Sequence, residues 1–88
     1  MTVRTVTVTN PLGLHARAAA RFVRLASRFA CAVRVRRDDR EMDGKSILGI
    51  LLLAAAQGTE LEVSADGADE AEAVAALAEL VTSGLGED

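Results

Sequence analysis

The chain has no tryptophan and no tyrosine, and Phe22 and Phe29 are its only phenyl rings. Proteins that grip single-stranded nucleic acid stack bases on aromatic platforms set among basic groups, so no nucleic-acid partner is expected. One cysteine, Cys31, excludes an internal disulfide and fits a reducing cytosol. One histidine, His15, without other ligand types at ligand spacing makes a poor metal site. It also has no paired base and nucleophile for hydrolysis. The longest apolar run, residues 47–56, is about half of the ~20 residues that a membrane span requires. The first residues alternate polar with apolar and do not read as a secretory leader. A soluble, cytoplasmic protein with no membrane insertion, no metal and no bound cofactor is expected.

What is present fits a surface-acting protein. Eighty-eight residues, half of them hydrophobic, suffice for one domain spanning 1–88. Such a domain is stable by roughly 5–10 kcal/mol and has little volume for an enclosed pocket. All ten basic residues lie at or before Lys45, where four acids accompany them; the nine remaining acids follow, with no basic residue among them. Two solvated faces of opposite sign would explain this asymmetry. A basic surface that meets an anion or an acidic partner would explain it equally.

Alternation and breakers place seven elements. Residues 5–9 read as a strand that buries Val6 and Val8. Pro11 and Gly13 mark a loop. Residues 16–28 read as a helix with Ala19, Ala20, Val23 and Ala26 inward and Phe22 at the stripe's edge. Arg17, Arg21, Arg24 and Arg28 stack on its other face. Residues 31–36 form a second strand with Cys31, Val33 and Val35 inward, and the turn at Asp38-Asp39 leads to a short third strand bearing Met42. Ser46 caps a helix that starts at Ile47 and stops at Gln57-Gly58. Residues 60–63 form a fourth strand. Asp69 caps a last helix with Val74, Leu77 and Leu80 inward. Gly84 stops that helix, and residues 85–88 are expected to fray. The order is β-α-β-β-α-β-α. Strands with one apolar and one polar face call for an antiparallel sheet covered by helices on one side.

A lone histidine is usually structural, but His15 stands where a glycine-containing loop becomes a helix. There the first backbone N–H groups, those of Ala16, Arg17 and Ala18, lack intrahelical partners. Together with the helix dipole they form an anion site. Phosphoryl transfer asks little of a protein beyond alignment and charge stabilisation, so a phosphorylated imidazole at this place could be held by those amides and by Arg17.

At these residues the sequence resembles a known family. Gly13-Leu14-His15-Ala16-Arg17, followed by Ala19-Ala20-Arg21-Phe22-Val23, is similar to the active-site signature of HPr, the phosphocarrier of the bacterial phosphoenolpyruvate:sugar phosphotransferase system. Lys45-Ser46-Ile47-Leu48-Gly49-Ile50 resembles the second signature. Gln57-Gly58-Thr59, Ser64-Ala65-Asp66-Gly67 and Asp69-Glu70 also fit, so the likeness spans the chain. It implies an α+β open-faced β-sandwich: a four-stranded antiparallel sheet with three helices on one face. It implies that His15 is phosphorylated on Nδ1 by Enzyme I and passes the group to Enzyme IIA, with Arg17 as charge partner. The protein would then be a stoichiometric carrier rather than a free-standing enzyme. One departure is Ala18, where the family motif usually has proline.

Ser46 is a helix cap in any reading. The resemblance adds regulatory phosphorylation there by an HPr kinase/phosphorylase. The run from Ile47 holds too many apolar residues for one buried stripe. Ile50 and Leu53 are assigned to the core, and Ile47, Leu48 and Leu51 to an exposed docking patch. Leu14, Arg17, Arg21 and Arg24 complete the expected partner surface of a monomer. The alternative is an HPr-like regulatory binding module that docks partners without obligatory sugar transport. A pure binder does not require the nucleophile His15, whereas Ala18 keeps that alternative open.

Overall fold

A computed structural model describes residues 1–87, and its sheet follows from period-two alternation. The strands β1 (Thr2–Thr7), β2 (Ala32–Arg37), β3 (Arg40–Asp43) and β4 (Glu60–Asp66) run in the order β1-β4-β2-β3, with every pairing antiparallel. Register puts Val6 opposite Leu61 and Val35 opposite Val63, so the apolar residues share one face. The helices α1 (Ala16–Ala26), α2 (Ile47–Leu52) and α3 (Glu70–Thr82) cover that face. Val33, Val35, Leu61 and Val63 meet Phe22, Ile50, Leu53, Leu77 and Val81 in a single buried cluster. Arg4, Arg34 and Arg36 stand on the open face, where Arg36 pairs with Glu62 at 3.0 Å. This is the α+β open-faced sandwich expected from the chain. No helix of the described residues is long and apolar enough to cross a membrane.

Several boundaries differ from the expectations. β1 starts at Thr2 and ends at Thr7, because β4 continues to Asp66 and offers partners as far as Ala65, opposite Thr2. β2 likewise starts at Ala32, though Cys31 is buried as expected. α1 stops at Ala26, and its stripe is rotated: Ala18 and Phe22 are fully buried, whereas Ala20 is half-exposed. α2 is much shorter than the expected run to Gln57. Its last turn tightens through Leu53 N–H to the Ile50 carbonyl, and Ala54 takes a φ of 51°. Two arginines from the β2–β3 hairpin satisfy the carbonyls left over: Arg37 donates to Leu53 at 2.8 Å and Arg40 to Leu52 at 3.2 Å. A helix end met by cations in this way needs no further turn.

α3 is held at both ends. Asp69 occupies the N-cap position, but its carboxylate does not bond its own helix. It accepts from the Ala30 and Cys31 amides at 2.8 and 2.9 Å, tying α3 to the start of β2. Glu70 accepts from the Thr2 hydroxyl at 2.6 Å and from the Gly67 amide at 3.2 Å, and pairs with the Met1 amine. At the other end, Gly84 at φ 93° donates to Val81, and Leu85 donates back to Leu80 at 2.8 Å. This is a Schellman motif, which turns the chain and sets the following residue against the helix. Leu85 is fully buried and Glu87 N–H returns to the Gly84 carbonyl, so residues 85–87 do not fray. Asp88, the last residue of that expectation, lies outside the described residues.

Candidate functional site

The loop before α1 is shaped by close approach. Gly13 has a φ of 65°, and a Cβ there would lie 2.3 Å from the Ala55 carbonyl oxygen. Leu14 N–H donates to that same carbonyl at 2.9 Å, which fastens the loop to the segment after α2. Leu14 itself is buried, at 4% exposure. It therefore anchors the loop in the core and offers a partner no surface, contrary to the sequence expectation.

His15 is the N-cap of α1, with extended backbone (φ −76°, ψ 179°). Its carbonyl accepts from Ala19 N–H at 2.8 Å, and its own side chain supplies the capping acceptor: Arg17 N–H donates to Nδ1 at 3.3 Å. An imidazole nitrogen that accepts a hydrogen bond carries a lone pair and no proton. Nδ1 is thus a nucleophile at the positive end of a helix. Among the described residues the Ala16 and Ala18 amides have no hydrogen-bond acceptor. Ala16 is exposed, so its amide is open to a ligand beside the ring, whereas Ala18 is fully buried and its amide is not, contrary to the sequence expectation. The Arg17 side chain is exposed and makes no ion pair among the described residues.

The other ring nitrogen meets a residue that sequence reading assigned to a frayed end. Glu87 Oε1 lies 2.6 Å from His15 Nε2. The same oxygen accepts from Asn10 Nδ2 at 2.9 Å, and Asn10 Nδ2 also donates to the Gly13 carbonyl at 2.8 Å. Asn10 is buried, and its Oδ1 has no partner among the described residues. Its orientation is still determined, because both groups facing the nitrogen are acceptors. The hydrogen bond from His15, then that from Asn10 and the charge of Arg21, hold the Glu87 carboxyl below the usual carboxylate range against its partial burial. Arg21 is half-buried and donates to the Leu85 carbonyl at 3.1 Å, so this guanidinium is engaged with the C-terminal turn rather than presented for docking. The Gly84-Leu85 pair was the available signal for Glu87, since an apolar residue after a C′ glycine accompanies a Schellman turn.

Ser46 caps α2 as expected, with Oγ accepting from Gly49 N–H at 3.1 Å. Neighbouring Lys45 reaches the Phe29 carbonyl at 2.7 Å. Ile50 and Leu53 are fully buried. Ile47 and Leu48 are exposed, Leu48 by 67%, and Leu51 is half-buried against the core. Leu52, which sequence reading did not place in the patch, is 53% exposed and extends it, and Leu12 in the histidine's loop is 71% exposed. Arg24 is exposed on α1.

Comparison with known proteins follows the same lines. The family model described as "PTS HPr component phosphorylation site" matches residues 2–83. A phosphocarrier protein HPr of Neisseria meningitidis is 47% identical over 87 residues, covering 99% of this chain and 98% of that protein. The crystal structure of an HPr from Thermoanaerobacter tengcongensis superposes with a TM-score of 0.95 at 43% identity, over 100% of this chain and 99% of that one. A second structure from that organism, described as an HPr dimer, gives 0.79 at 44% identity, over 99% and 100%.

Proposed function

The chain belongs to the HPr family of phosphocarrier proteins of the phosphotransferase system, and from that premise we propose that His15 accepts a phosphoryl group on Nδ1 from phosphorylated Enzyme I and hands it to Enzyme IIA. The observation that carries the reading is the Nδ1 lone pair at the N-terminus of α1, beside the exposed amide of Ala16, which has no acceptor among the described residues. A dianionic phosphoryl group on that nitrogen meets N–H donors and positive dipole potential. The Arg17 guanidinium is close in sequence and uncommitted among the described residues; a hydrogen bond from a charged donor contributes about 1.5–3 kcal/mol when shielded, and less at this exposed position. The protein is then a carrier consumed and regenerated stoichiometrically, acting in the cytoplasm as a monomer. Its partners dock on Ile47, Leu48, Leu51 and Leu52, with Arg17 and Arg24 at the basic margin. Ser46 is proposed as a second, regulatory phosphorylation site at the edge of that patch. Incubation with phosphoenolpyruvate and Enzyme I, followed by intact-mass measurement, tests the assignment. Wild type gains one acid-labile phosphoryl group and His15→Ala gains none; undiminished labelling of the alanine variant refutes it. Arg17→Ala slows labelling without unfolding the domain.

A further inference from the structure

Where α1 turns toward α3 the surface holds an open groove of about 200 Å³, lined by Arg21, Arg24, Leu25 and Arg28 from α1 and by Leu80 from α3. No residue of α2 lines it, so it is separate from the patch around Ile47 and Leu48. Its floor is apolar: Leu25 and Leu80 pack on the core, yet each stays partly exposed. Its rim is cationic. No acid precedes Asp38 in the chain, so α1 has no carboxylate of its own to neutralise its arginines. Arg21 is committed to the Leu85 carbonyl at 3.1 Å. The side chains of Arg24 and Arg28 are exposed and make no ion pair among the described residues. On α3, Ala76 and Ser83, about one turn to either side of Leu80, bring no charge. Glu72 and Glu79 are exposed and pair with none of these arginines.

Stability does not call for this arrangement. Arg24 and Arg28 stand one turn apart, and like charges at that spacing weaken a helix. A cation in the last turn suits the helix dipole, which accounts for Arg24 but not for two leucines left wet beside the arginines. We propose that the α1–α3 groove docks an acidic amphipathic helix of a partner protein, which seats an apolar side chain on Leu25 and Leu80 and sets carboxylates against Arg24 and Arg28. The type of cation agrees: α1 carries four arginines and no lysine, and the guanidinium fork grips a carboxylate through two parallel bonds. Arginine is also the cation that protein interfaces favour. The volume agrees too, since small-molecule sites run to about 300–1,000 Å³ and this groove has room for one or two side chains. An anionic bilayer is the poorer match, because a recess draws back from a flat surface whereas an inserted side chain reaches its floor. The proposal does not depend on phosphoryl transfer at His15.

The test titrates the full chain, labelled with nitrogen-15, with a blocked peptide of about eighteen residues, long enough to form a helix, that carries leucines along one face and glutamates on the rest. Amide shifts are expected on residues 21–28 and 76–80 and not on 47–52. Affinity should fall about threefold or more as ionic strength rises from about 0.01 M to 0.15 M. Arg28→Glu should weaken binding by about tenfold and Arg28→Gln by about threefold, through loss of a rim charge. Leu25→Ala should weaken it by about fivefold without changing the salt dependence. Arg28 is exposed, so its variants keep the fold by circular dichroism, and Arg28→Gln decides if Arg28→Glu does not. Labelling of Arg28→Glu by phosphoenolpyruvate and Enzyme I should match wild type, which marks the groove as separate from the transfer surface. The proposal is overturned by shifts confined to residues 47–52, by equal binding of a peptide with its leucines scattered round the helix, by wild-type affinity in both Arg28 variants, or by slowed labelling of Arg28→Glu. Failure to bind the peptide also overturns it, and sedimentation with phosphatidylglycerol vesicles in that case assigns the face to a lipid surface instead.

Discussion

Leu85→Ala probes whether the C-terminal turn is part of the folded domain. The side chain is fully buried, between the end of α3 and the core. Truncation removes three carbons, which at about 0.8 kcal/mol each is a transfer loss of roughly 2.4 kcal/mol. A residual cavity raises such losses toward 5 kcal/mol where the surroundings cannot collapse. Near a chain end they can, so a value of about 2–3 kcal/mol is expected. Backbone strain does not offset it, since Leu85 sits at φ 58° and alanine is no easier there than leucine. For a domain of this size each kcal/mol moves the melting temperature by about 4–8 °C, which gives a fall of roughly 8–24 °C. Thermal unfolding by circular dichroism measures it, with Leu12→Ala as control, because Leu12 is 71% exposed and its loss belongs to the near-neutral surface class. Amide exchange gives the local view: the Leu85 N–H, bonded to Leu80, should be protected in wild type and exposed in the variant. If Leu85→Ala melts with the Leu12→Ala control, and the wild-type Leu85 amide exchanges freely, the turn is not docked. The geometry at Glu87 then loses its support.

Glu70 tests the pH dependence of the other end of α3. The Thr2 hydroxyl, the Gly67 amide and the Met1 amine lower its carboxyl to about 2. A depressed carboxylate adds stability above its unfolded value and loses it as pH falls through the folded one. The melting-temperature gap between wild type and Glu70→Gln should therefore be constant from pH 5 to pH 7 (about a unit or more above the usual carboxylate value) and close toward pH 2; a gap that widens in acid contradicts the assignment. Ser46→Asp should keep the fold, since an acid at an N-cap is favourable, and slow phosphoryl transfer from Enzyme I to His15 by about tenfold through charge placed beside Ile47 and Leu48. Equal rates at physiological salt count against regulation at Ser46.

The strands and helices were legible wherever local pattern decides them. Val6, Val33, Val35 and Leu61 alternate with polar neighbours, and no other face could be buried, so the sheet and its covered side followed from period two alone. Boundaries set by a neighbour were not legible. β1 reaches Thr2 only because β4 extends to Asp66, and no residue in the first four announces that partner. α2 stops after six residues because Arg37 and Arg40 from a different element take its last carbonyls. The apolar run Ile47–Leu53 continues as if nothing ended there. Asp69 shows the same limit. Its type and place read as a helix cap, yet its carboxylate serves β2, because two unpaired amides at Ala30 and Cys31 lie closer to hand.

The site divides along the same line. The loop, the histidine at the N-cap and the orphan amides after it are local facts, since the first turn of a helix has free donors whatever packs around it. Ala18 belongs with them. The family's usual proline would remove an amide at the third helical position; this chain keeps that amide, but Ala18 is fully buried and does not present it to a ligand. The orientation of the ring is not local. It depends on Glu87, 72 residues away in sequence, and reaches His15 through a glycine turn, a buried leucine and a buried asparagine whose Oδ1 is unpaired among the described residues. Burying a polar atom without a partner is costly. Local stability would favour a smaller apolar residue at position 10. The unpaired oxygen makes structural sense as the accompaniment of a nitrogen that must bond two acceptors at once, the Gly13 carbonyl and the Glu87 carboxylate. Asn10 thus loses stability at one atom to fix two groups around the reactive ring, and that exchange lies where a requirement of function, rather than of folding, would put it.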